Sequence, residues 1–111
     1  MYDERLAVRV RGVLASHGSV VEKKMMGGLC FMLRGHMCCG VLKNELIVRV
    51  GRERHEAALA DPHARPMEFT GRTSRGFVFV ASPGLRTSRA LERWVSRGIE
   101  FVHSLPPKAG K

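Results

Sequence analysis

The sequence predicts an α+β fold in two layers, with an antiparallel β-sheet under an N-terminal, a short middle and a C-terminal helix. Three observations carry this. Helical periodicity appears at both ends of the 111 residues and briefly in the middle. Between the first two helical stretches run four short segments separated by two-residue turn signals, the pattern of a meander. A further strand pair follows the middle helix. A hydrophobic content of 44% fits a folded chain with one core.

The first helix is expected over residues 3 to 17. Leu6, Val10, Val13 and Leu14 recur at helical spacing, Asp3 and Glu4 suit the first turn, and Gly18 suits the end. The four strands are expected at Val20–Met26, Leu29–Leu33, His36–Leu42 and Glu45–Val50. Gly27-Gly28, Arg34-Gly35 and Lys43-Asn44 are the tight turns between them. "RERHEAALA" (52–60) reads as a short helix stopped by Asp61-Pro62. "RPMEF" (65–69) and "GFVFV" (76–80) read as the further strand pair, joined by a polar loop, "TGRTSR". After the break at Pro83-Gly84, the last helix runs from about Thr87 to His103, with Thr87 or Ser88 as N-cap and Pro106-Pro107 beyond it. Residues 1–105 are thus expected to form a single domain and 106–111 a frayed tail.

The turn positions fix a cross-strand register. Met25 should face Cys30, Cys30 Cys39 and Cys39 Val48, while Met37 faces Val50 and Val41 faces Leu46. That apolar set is expected beneath the helices. The other face would carry Lys24, Met26, Leu29, Phe31, Leu33, His36, Cys38, Ile47 and Arg49. A mixed apolar and basic face of this kind reads either as a partner surface, represented by Phe31, Leu33, Ile47 and Arg49, or as a face covered by a loop or by the second strand pair.

Net charge is +9, with arginine the main basic residue. This reads either as affinity for an acidic partner, nucleic acid or protein, or as the amino-acid usage of a GC-rich genome. On the last helix, Arg86, Arg89, Arg93 and Arg97 fall within an arc of about 80°, opposite Leu91, Trp94, Val95, Ile99 and Val102. The stripe is either a solvated face or a dock for phosphates or acidic groups. No helix-turn-helix, zinc-finger or RNA-binding aromatic motif accompanies it.

The stretch "EKKMMGGLCF" (22–31) places lysines before a glycine pair. A phosphate-binding loop needs Gly-x-x-x-x-Gly-Lys-Ser/Thr leading into a helix. Here a strand follows, and Lys23 and Lys24 point to opposite sides of theirs, so the stretch reads as a hairpin. Cys30, Cys38 and Cys39 do not make a disulfide framework and fit a reducing, cytoplasmic setting. Zinc needs four convergent ligands, and no Cys-x-x-Cys occurs. A nucleophilic Cys38 or Cys39 would need a lowered thiol pKa in an open cleft. No catalytic residue, metal or cofactor is therefore assigned, and no apolar run approaches the roughly 18 residues of a membrane span.

The words "KKMMGGLCFML", "MCCGVL", "ELIVRVG", "ARPMEFTGR" and "GFVFV" together resemble the N-terminal domain of the TfoX/Sxy competence-regulator family, over about residues 1 to 105. Met26 stands where the family word often has Phe. The resemblance implies an α+β fold, a bacterial cytoplasmic setting, and a role near transcriptional regulation of competence exerted through protein contacts. It brings no catalytic residues. Full-length regulators of the family carry a second, helical domain, and a stand-alone single-domain member is expected here. The expected function is a small non-catalytic regulatory or protein-interaction module with a protein partner, a second copy of the chain among the candidates. The alternative is an accessory nucleic-acid binder using the arginine stripe.

Overall fold

A computed structural model describes residues 2–25, 27–69 and 71–106. Elements follow in the order α1 (Glu4–Leu14), β1 (Val20–Met25), β2 (Gly28–Leu33), β3 (His36–Leu42), β4 (Glu45–Arg49), α2 (His55–Leu59), β5 (Ala64–Phe69), β6 (Arg72–Val80), a 3₁₀ turn (Ser82–Leu85) and α3 (Ser88–His103). The strands form one six-stranded antiparallel sheet in the order β1-β2-β3-β4-β6-β5.

Helix α1 begins where Asp3 caps it, its carboxylate accepting from the backbone N–H of Arg5 and Leu6. It ends three residues short of the expected span. Its start is tied to the β3–β4 turn: the Asp3 N–H donates to the Lys43 carbonyl at 2.7 Å. The helix buries Leu6, Ala7, Val10 and Leu14. With Ala58 of α2, Leu85, and Leu91, Trp94, Val95, Ile99 and Val102 of α3, these residues cover one face of the sheet.

The Arg34-Gly35 and Lys43-Asn44 turns lie where expected, with positive φ at Arg34 (56°), Gly35 (84°) and Lys43 (54°). The first turn is displaced by one residue. Met25 pairs with Gly28, not Cys30, so Gly28 belongs to β2 and not to the turn. A Cβ at Gly28 would lie 2.6 Å from the Val41 carbonyl oxygen, so β3 passes too close for a side chain there. Met26 lies outside the described residues.

A β-bulge changes the expected faces. Near its turn the β2–β3 register is as expected, with Leu33 opposite His36 and Met32 opposite Met37. Beyond it, Phe31 pairs with Cys39 and Cys30 with Gly40. Cys38 is the extra residue. One inserted residue turns the remaining side chains to the other face. Leu29, Phe31 and Leu33 therefore lie beneath the helices with Cys38, Cys39, Val41, Leu46, Val48 and Val50. Cys30 and Met37 lie on the face away from the helices instead.

The "TGRTSR" stretch is also not the expected loop. Phe69 pairs with Arg72 across a tight turn, and β6 runs through the polar residues from Arg72. Thr70 and residues 107–111 lie outside the described residues, and with them most of the expected tail.

A candidate interaction face on the last helix

Thr87 caps α3, its hydroxyl accepting from the Ala90 N–H at 3.0 Å. The junction before the helix is held from α1. One nitrogen of the Arg9 guanidinium donates to the Leu85 carbonyl at 2.6 Å and lies 3.4 and 3.5 Å from the carbonyls of Arg86 and Thr87. Further along, α3 presses onto the sheet at Gly98, where a Cβ would lie 2.6 Å from the Cys38 carbonyl oxygen. The cap, the clamp and the close contact fix which way the arginine stripe points.

Arg86, Arg89 and Arg93 are exposed. Arg97 is half-buried, its guanidinium lying 4.3 Å from the centre of the Trp94 ring. Between α3 and α2 runs an open groove of about 550 Å³ whose walls include Arg89, Arg93, Arg97 and Arg54, with Ala57 and Val50 as apolar lining. Two carboxylates share it, Glu92 and Glu100. Glu100 is engaged by Arg54, which donates to it at 2.6 Å. Among the described residues, Arg89 and Arg93 do not engage these carboxylates, and their guanidinium groups have neither an ion pair nor a hydrogen bond. Arg93 and Arg97 also border a second depression, of about 240 Å³, together with Asp61 and His63.

Chemically, this face offers planar cationic donors in a row with i,i+4 spacing, about 6 Å per step. One of them is held flat on an indole. Such a surface can recognise carboxylates or phosphates by charge-assisted hydrogen bonds. Arg54 in the groove and Arg9 at the junction before α3 carry no sequence signal. Each acts on a segment far along the chain.

The other proposed face does not hold together. Phe31 and Leu33 are 0% and 1% exposed under the helices. Ile47 is on the opposite face, packed beside Met67 of β5 and Phe79 of β6, whose strands continue the same sheet next to β4. Arg49 stands between the rings of Phe77 and Phe101, 5.5 and 5.1 Å from their centres. The four residues form no common exposed surface.

Cys38 and Cys39 have no solvent exposure. The hydrogen bond with the Cys38 thiol, together with burial, pushes the Cys39 thiol well above its ordinary value, and burial pushes Cys30 up. These are the opposite of the conditions for a nucleophilic thiol. His36 is occupied by the Pro106 carbonyl at 2.8 Å. Among the described residues, no three His, Cys, Asp or Glu side chains are grouped to hold a metal ion, and no helix is long and apolar enough to cross a membrane.

Compared with known families, residues 12–102 match the model described as the TfoX N-terminal domain. No curated protein and no solved structure matches the chain.

Proposed function

Because the chain belongs to the TfoX N-terminal domain family, we propose that it is a non-catalytic regulatory module that docks an acidic segment of a partner protein on the α3–α2 groove. The carrying observation is the pair of unengaged guanidinium groups, Arg89 and Arg93, in an open groove. A cation left without a partner on a pre-formed surface has its full hydrogen-bonding capacity available to an incoming anion. The three unpaired cysteines, all buried as thiols, support a reducing cytoplasmic setting. The regulation is of the transcriptional, competence-related kind that the family resemblance implies, exerted by protein contact.

The net charge of +9 favours a second reading, in which the same arginines meet nucleic acid. The groove itself argues for the first. Glu92 and Glu100 stand among its arginines, and they would repel a continuous row of phosphates. A polypeptide can offer carboxylates to the arginines and donors to the glutamates.

Fluorescence anisotropy with a Glu/Asp-rich peptide, duplex DNA and single-stranded DNA, at low and physiological salt, tests both readings. Arg89→Gln/Arg93→Gln is compared with a charge-matched control, Arg5→Gln/Arg75→Gln. Peptide binding lost in the first variant and kept in the control is the expected result. Tighter binding of DNA than of peptide, lost in the same variant, would replace the protein-partner reading with the nucleic-acid one. Equal loss in both variants, or no binding at all, would remove α3 as a docking face.

A further inference from the structure

The sheet face away from the helices carries an unusual concentration of sulfur. The side chains of Met25, Cys30, Met37 and Met67 come from four strands, β1, β2, β3 and β5, and border a single void of about 70 Å³. The remaining side chains around it, Leu42 and Ile47 among them, are apolar. The void is far smaller than the roughly 300–1,000 Å³ of an organic-ligand pocket, but it has room for a single ion. Its donors are one thiol and three thioethers, with no carboxylate or imidazole among the residues that border it. Soft sulfur donors of this kind select Cu(I) and leave hard cations such as Mg²⁺ in water.

We propose that Met25, Cys30, Met37 and Met67 form a binding site for a soft monovalent cation, Cu(I) or its analogue Ag(I). The strands supply a rigid frame, and the long unbranched methionine side chains supply the adjustment needed to close around an ion. Met25, 45% exposed, gives the site its opening to solvent, while Cys30 and Met67 are 7% and 8% exposed and form the inner wall. Binding is a simple exchange. The Cys30 sulfur forms a bond to the cation as its S–H proton leaves to solvent, the thioethers donate lone pairs, and the metal stays monovalent. Cys38 and Cys39 lie on the other face with no exposure, so they do not compete for the ion.

Two measurements on the full chain test the site. Under anaerobic conditions, the wild type should withdraw one equivalent of Cu(I) from a chromophoric Cu(I) chelator. Met37→Leu/Met67→Leu, which conserves apolar volume, should weaken that affinity by about tenfold or more. No withdrawal by the wild type, or undiminished withdrawal by the leucine variant, overturns the proposal. The second measurement needs no variant. On titration with Ag(I), the ε-methyl resonances of Met25, Met37 and Met67 should shift together while that of Met32 stays in place. Shifts at Met32 alone, or none at all, overturn the assignment of the ligands.

Discussion

Phe31 has no solvent exposure and packs on the helix side of the sheet, so its ring is a stability residue and not a recognition residue. Phe31→Ala should lower unfolding stability by about 3–5 kcal/mol. A urea titration measures this, and a loss below about 1 kcal/mol would put the ring back at the surface. Residues such as Arg89 and Arg93 were legible from the sequence, because 3.6-residue periodicity alone sets the angle at which each leaves the helix. Their setting was not. The Arg54–Glu100 pair that borders their groove joins α2 to α3, and no local spacing encodes it. Phe31 was misplaced for a related reason. An alternating pattern says which residues share a face, but the choice of face depended on one irregularity in the neighbouring strand.

That irregularity belongs to the elements. The turn signals located every strand of the meander, yet the bulge at Cys38 carries no glycine or proline to announce it. "TGRTSR" looked like a loop because it is polar; residues 72–75 of it are strand because β6 pairs there with the edge strand β5. Bulge and helix also fit one another. Gly98 of α3 leaves room for the Cys38 carbonyl. Gly98→Ala gains helix propensity worth about 1 kcal/mol, but overpacking against backbone costs about 1–3 kcal/mol. The close approach to a carbonyl oxygen makes the second effect the larger, so a lower urea midpoint is expected. A raised midpoint would mean that α3 can lift off the bulge.

Helix α1 and strand β1 are joined by a two-bond ion pair, Arg11 to Glu22, at 2.5 and 2.9 Å. The Arg11 hydrogen bonds hold the Glu22 carboxyl below its ordinary 4.5. A lowered folded-state pKa contributes stability that is present above the unfolded value and is lost as the pH falls through the folded one. The pair is largely exposed, so the effect is small. Thermal melts should show a modest advantage of wild type over Glu22→Gln at neutral pH that closes as the pH drops below about 4.5. An advantage that persists in strong acid would mean that Glu22 acts through packing and not through its charge.

At the scale of the whole molecule, the two faces of the sheet have separate duties. One is sealed by all three helices, with the arginine row on the outer side of the last of them. The other is lined by Ile47, Met67 and Phe79, with Met37, Leu42 and Phe77 around them, and holds the sulfur-lined void. The overall class was legible in the sequence because the helical and strand periods occupy separate stretches of it. The division of labour between the faces was not, since it depends on the register set at Cys38.

The strand order has a kinetic consequence. Among the described residues, β4 with β6 is the only sheet pairing between strands that are not consecutive in the chain. Every other pairing closes a short loop and costs little chain entropy. Folding should therefore nucleate in the β2–β3–β4 meander and spread outward. Zipping β6 onto β4, across the excursion through α2 and β5, is the step on which its speed depends.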